Sequence, residues 1–239
     1  MNFAGVSVTA VSGPRGASAG RNHAVNKAPS TVDFLLFPND TSWFPPDFVK
    51  TFKAQAISGS AGALTVIDEL GPKFLLPPPG TPIDKKNVWQ VIEPGLFIGH
   101  ETFLHLGGFD ESIGTGAVTP WQSGEGTELL LRWMKLPSVG PFEWCDYPQV
   151  FGISDPKGLT KSERRVKLRA YARGYGRLLV VGEFGPVQCL KALLGGASFG
   201  LRKGHPYTVG DGLFVLLGRM EGLMGTLFSA GSVTQAVNR

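Results

Sequence analysis

The chain has 239 residues, 42% of them hydrophobic and 18% charged, which excludes a disordered polypeptide and leaves room for one sizeable core. Its formal net charge of +4 is only mildly basic, so nucleic acid is not implied as a partner, whereas a phosphate-bearing ligand or an anionic membrane surface fits. The first residues lack the basic start and long apolar core of a signal peptide, and no run reaches the ~18 apolar residues of a membrane span, so the reading is a cytoplasmic protein. The two cysteines, Cys145 and Cys189, form no metal or redox motif and read as buried free thiols.

In chain order, Val6, Val8 and Ala10 alternate with small polar residues, which predicts a short strand. SGPRGASAGRNHAVNKA then reads as a turn and a helix carrying Arg21 and Asn22. Phe34 to Phe37 form a continuous apolar run, the pattern of a parallel-sheet strand covered on both faces. Pro38 ends it, and Asn39, Asp40 and Thr41 follow at the strand's carboxyl end, the edge where open α/β sheets bind ligands. Asn39-Asp40-Thr41 is also formally a glycosylation sequon, a chance match in a cytoplasmic chain. A helix is predicted from Asp47 to Ala56 after Pro46, a strand from Ala63 to Ile67, a Pro-rich surface loop over PKFLLPPPGTPIDKK, and a strand from Val88 to Glu93. His100 and His105 read as exposed helix residues rather than ligands, since no second ligand stands at i+4 from His100.

The stretch Gly107 to Trp133, GGFDESIGTGAVTPWQSGEGTELLLRW, carries the most information. It opens on a Gly-Gly turn, passes through a Gly-rich loop around Trp121, and closes on an acidic helix start. Ser123 is placed to cap that helix, with Glu125 and Glu128 in its first turns. At about 100° per residue, Glu125, Glu128 and Arg132 share one polar arc, while Leu129, Leu130 and Trp133 face another way. FEWCDYPQVFGIS then gives a short strand and loop. KSERRVKLRAYARGYGRLLVV is a basic helix, with Arg164, Arg165, Lys167, Arg169, Arg173 and Arg177 within 14 positions. A solvated face and a site for phosphate or anionic lipid both fit it. Two amphipathic helices follow, with Arg202, Lys203 and Arg219 at their edges, packed within the protein, on a twin subunit or on a membrane surface, and the last residues read as frayed.

These motifs resemble those of the inverting family 2 glycosyltransferases, which have the GT-A fold and use nucleotide-sugar donors. The matching elements, in order, are RGASAGRN, FPNDTSWFPPD, GGFDE, WQSGE and Arg132, and the likeness covers about residues 10–220. It implies an α/β, Rossmann-related, mixed but mostly parallel sheet flanked by helices. Residues 1–160 would form the catalytic core, and residues 161–239 a basic helix with a C-terminal amphipathic helical extension. It implies a hexosyltransferase acting on a cell-envelope glycan or lipid-linked acceptor, at the inner face of the membrane as a peripheral protein, with a homo-oligomer open. On this likeness Arg21, Asn22, Asn39 and Asp40 would bind the donor, and Asp110, Glu111, Trp121 and Arg132 the acceptor. Glu125 and Glu128 would be catalytic, and Asp40 would hold a divalent cation, Mn or Mg, on the donor's phosphates.

The sequence departs from the family pattern in four places. Of the acidic cluster after the first apolar strand only Asp40 is present. The position of the family's base, directly after Glu125, is Gly126. No His stands between His105 and His205. The strand–helix–strand unit that binds the nucleotide base in the family is not matched ahead of residue 10. A non-catalytic derivative that binds a glycan or a partner enzyme is therefore the alternative. Convergence of Asp40, Glu125 and Glu128 on one cleft would favour the enzyme. Divergence, or an arginine or lysine in the cation's place, would favour the binding module. A third reading, RNA or membrane binding, rests on the 164–177 helix alone.

Overall fold

A computed structural model describes residues 2–3, 6–55, 60–137, 140–153, 158–201 and 206–228. Arg202, Lys203, His205, the end of the predicted helix at Ala56 and the C-terminal tail lie outside these residues. After a two-residue pairing of β1 (Asn2–Phe3) with β2 (Val6–Ser7) come helix α1 (Ala17–Val25), β3 (Phe34–Leu36), α2 (Phe48–Ala54), β4 (Ala61–Asp68) and β5 (Gly71–Pro72). Then follow β6 (Leu96–Gly99), α3 (His100–His105), α4 (Glu125–Trp133), β7 (Phe142–Phe151), α5 (Lys161–Val181), α6 (Pro186–Ala197) and α7 (Val209–Met224).

The architecture is α/β: a five-stranded open sheet, ordered β3-β6-β4-β5 with β7 on the other side of β4, flanked by helices. The sheet is mixed, not mostly parallel. Only β4 and β7 run parallel; β3–β6, β4–β6 and β4–β5 are antiparallel. The apolar run at Phe34 therefore belongs to a strand paired antiparallel with β6; it reads like a covered parallel strand because both of its faces are covered. Its residues alternate between the two faces, Leu35 into one cluster and Phe34 and Leu36 against the other.

Two apolar clusters cover the two faces. One gathers Leu96, Ile98, Phe103, Leu129, Leu130 and Trp144; the other gathers Phe48, Phe52, Leu64, Phe97 and Val150. The predicted strand from Val88 to Glu93 is instead a pair of 3₁₀ turns, Val88–Gln90 and Glu93–Gly95. The Asp84 carboxylate accepts the N–H groups of Lys86 and Asn87 and starts the first turn, while Pro94 has no N–H for a strand ladder. The strand begins only at Leu96. His100 is buried, contrary to expectation, because its N–H is tied to the Asp33 carbonyl at the start of α3; His105 is exposed. Cys145 is buried, its thiol pushed up to about 11 by burial and then by Glu143 and Asp146, but Cys189 is only half-buried. The strand predicted in FEWCDYPQVFGIS is ten residues long, not short.

The basic helix forms as α5, capped by the reciprocal Thr160–Glu163 bonds. Of the six basic residues from Arg164 to Arg177, four are turned to acids of the protein itself, while Lys167 and Arg177 lie over the Tyr171 and Trp121 rings. Arg164 and Arg165 pair with Asp211, and Arg169 and Arg173 pair with Glu221, both acids on α7 and fully buried. Main chains meet closely here: a Cβ on Gly218 or Gly222 would lie 2.4 Å or 2.2 Å from a carbonyl oxygen of α5. α6 packs on α7, leaving Val187, Leu190 and Leu194 exposed on its outer side. No helix among the described residues is long and apolar enough to cross a membrane.

Candidate functional site

The loop after β3, the turn before β6 and the start of α4 enclose a cleft of about 280 Å³. Asn39, Ser42, Lys73, Glu93, Ser123, Glu125 and Tyr171 are among the residues of its polar wall; Phe74, Ile92 and Ile153 supply apolar surface. Hydroxyls, carboxylates and an aromatic ring in one cleft match what a sugar presents: a rim of hydroxyl groups and an apolar face.

Glu125 begins α4, whose cap is Gly124 in the left-handed conformation (φ 98°). Ser123 does not cap; its hydroxyl donates to the Tyr171 carbonyl at 2.7 Å and ties the loop to α5. The helix is buried almost all round, so the predicted polar arc is split. Glu125 is 5% exposed and accepts from the Arg21 guanidinium at 3.1 Å. The other arm of Arg21 donates to Asn39 Oδ1, also at 3.1 Å. Burial pushes the Glu125 carboxyl up to about 7, and the charge of Glu93 adds to it; the Arg21 charge opposes both. A carboxyl placed this way exchanges protons at neutral pH.

Glu128 does not enter the cleft. It forms a two-armed pair with Arg132, at 2.7 Å to Nε and 2.6 Å to a terminal nitrogen, and Arg132 in turn donates to the Leu106 and Gly108 carbonyls. Glu128 and Arg132 thus hold the Gly-Gly turn onto α4. Arg132→Met is expected to cost about 2 kcal/mol, since it strands the buried Glu128 charge while Arg132 itself is partly solvated; urea unfolding measures it. Asn22 clamps the same turn, accepting the Phe109 N–H at 2.9 Å and donating to the Phe109 carbonyl and to Glu111. Asp110 accepts the Ser112 N–H, and Trp121 lies under the Arg177 guanidinium, 5.7 Å from ring centre.

Of the predicted donor residues, Arg21 and Asn39 meet Glu125 at the cleft. Asn22 instead sits with Glu111 at the turn, and Asp40 is exposed and outside the cleft wall. The residues do not fit the divalent cation that the family likeness implies. Among the described residues no three acids, histidines or cysteines gather, and the partner of the Asn39 amide oxygen is the Arg21 guanidinium.

Glu93 was missed by sequence reasoning, which placed it at a strand end. The signal was an acid directly before Pro94, a start position for a tight turn. Its Oε1 accepts the Gly126 N–H at 3.2 Å. Carbon-13 NMR is expected to show Glu125 titrating near pH 7, with the midpoint lowered in Glu93→Gln and raised in Arg21→Met. For stability the sign follows: with the folded value above the ordinary 4.5, the contribution is fully present below 4.5 and lost as pH rises through about 7, roughly 3 kcal/mol in all.

Set against protein-family models and curated proteins, the chain matches none.

Proposed function

We propose that this chain transfers a sugar from a nucleotide-sugar donor to a glycan or lipid-linked acceptor, with inversion, in the cleft at the head of α4. The observation that carries the reading is Glu125: a buried carboxyl facing a second carboxylate, raised to about 7, in a cleft walled by hydroxyls. Transfer of a sugar to a hydroxyl needs a group that accepts the hydroxyl proton at neutral pH and a cavity that excludes competing water. The carboxylate pair meets the first need, and the loop from Gly107 to Gly124, wrapped over α1, meets the second. The Thr115 carbonyl accepts the Ala17 N–H at 2.8 Å and fastens that loop.

A second reading has in its favour both features named above as marks of a binding module, and what keeps transfer ahead of it is the Glu93–Glu125 carboxylate pair. Asp40 and Glu128 diverge from Glu125, and Arg21 stands beside Asn39 where a cation would be expected. On that reading the cleft is a glycan-binding site without turnover. The purified chain, supplied with UDP-glucose, UDP-galactose and GDP-mannose, with and without methyl hexosides as acceptors, separates the two. Acceptor-dependent release of UDP or GDP supports transfer. Saturable oligosaccharide binding with no release supports the binding module and removes the transferase reading.

A further inference from the structure

We infer that Glu93 is the catalytic base of this cleft, a carboxylate delivered by the turn before β6 into the space that Gly126 leaves open. The inference rests on the transfer reading and names the residue that meets the acceptor.

The geometry around Gly126 is the first ground. A Cβ built on Gly126 would lie 3.1 Å from Glu93 Oε1, 3.2 Å from its Cγ and 3.4 Å from its Cδ. The end of the Glu93 side chain therefore stands in tight contact with the place where a side chain at 126 would begin. A carboxylate from 33 residues upstream thus reaches the first turn of α4. The hydrogen bond from Gly126 N–H to Oε1 fixes it there, at the wall of the cleft.

Exposure and pairing are the second ground. Glu125 is buried and tied to Arg21, so its carboxylate is held by a cation. Glu93 is half-buried, lines the cleft, and makes no ion pair among the described residues. Of the two acids it is the one a hydroxyl can reach. Glu125 then acts from behind: its charge opposes that of Glu93, and the opposition ends when a proton arrives between them.

The step balances with no further reagent. The acceptor O–H bond breaks and its proton passes to the Glu93 carboxylate. The acceptor oxygen forms a bond to the anomeric carbon of the donor, and the bond from that carbon to the diphosphate oxygen breaks, its electron pair leaving with the nucleoside diphosphate. Glu93 afterwards returns the proton to solvent.

The test uses the full chain with UDP-glucose, UDP-galactose and GDP-mannose as donors and methyl hexosides as acceptors. Glu93→Gln is expected to lower kcat by a factor of about 10² to 10⁴ with an unchanged melting temperature. The rescue is specific to the proposal. Glu93→Gly empties the space, and adding Gly126→Asp places a carboxylate in it, so the double variant is expected to exceed Glu93→Gly by at least about tenfold. A Glu93→Gln protein as active as the wild type overturns the assignment while leaving the transfer reading standing. So does an impaired Glu93→Gln together with a Glu93→Gly that Gly126→Asp fails to rescue, which is the behaviour of a merely structural residue. A wild type inactive with every donor overturns the transfer reading itself and the assignment with it.

Discussion

On the proposed transfer, Glu125→Gln is expected to lower kcat by a factor of about 10, the effect of one neighbouring charge on the base, and to abolish the acid limb of the pH–rate profile near pH 7. The amide keeps the shape of the side chain and an oxygen for Arg21 to donate to, but it neither carries charge nor takes a proton. Because burial and Glu93 disfavour the ionised carboxylate in the folded chain, the neutral amide is not expected to weaken the fold above pH 7. Loss of turnover is thereby separated from loss of structure. Kinetics from pH 5 to 9 beside thermal melts of both proteins make the measurement. Activity within threefold of wild type, or an acid limb that stays in place, would remove Glu125 from the reaction.

The second large effect lies far from the cleft. Glu221→Gln is expected to destabilise the chain by about 4 kcal/mol, because breaking a buried pair leaves its partner's charge without compensation. Two partners are involved: Arg169 at 2.5 Å and 3.0 Å, and Arg173 at 2.6 Å, around a carboxylate with no exposed surface. Burial works to raise this carboxyl, but hydrogen bonds from the two arginines and the Phe228 N–H outweigh it and hold it at about 2. The folded value lies below the ordinary 4.5, so the contribution is present above pH 4.5 and lost as the pH falls through about 2. In Glu221→Gln that acid-driven loss should be missing. Urea unfolding at pH 7 and pH 3 tests both points, and a wild-type-like midpoint at pH 7 would show that the pairing adds nothing.

Legibility differed between elements for physical reasons. The α1, α2, α5 and α7 helices were readable because their signals are local: caps, breaks and a period of 3.6. Strand direction was not, since Phe34–Leu36 has the same apolar content whether its neighbour runs parallel or antiparallel, and the neighbour is decided by residues 60 positions away. The meeting of Arg21, Asn39 and Glu125 was foreshadowed by the motifs that carry them. The fate of Glu128 was not, because helical spacing puts it near both Glu125 and Arg132, and only the packing of the Gly107–Gly108 turn decides between them. Glu93 gave no periodic signal at all; its place depends on a short 3₁₀ turn closing against α4. The arginines of α5 looked like a surface because their acids lie about 50 residues further on, in a helix whose overall character is apolar.

That pairing of α5 with α7 has a mechanical consequence. Contact between main chains at Gly218 and Gly222 fixes how near the two helices lie, and the acids at 211 and 221 fix where along their length they stop. A slide of one helical turn, about 5.4 Å, would draw Asp211 away from Arg164 and Arg165 and part Gly218 and Gly222 from the carbonyls they face. The two helices are thereby held close together along their length. Ser123 is bonded to α5 through the Tyr171 carbonyl, so one wall of the cleft is tied to this helix pair.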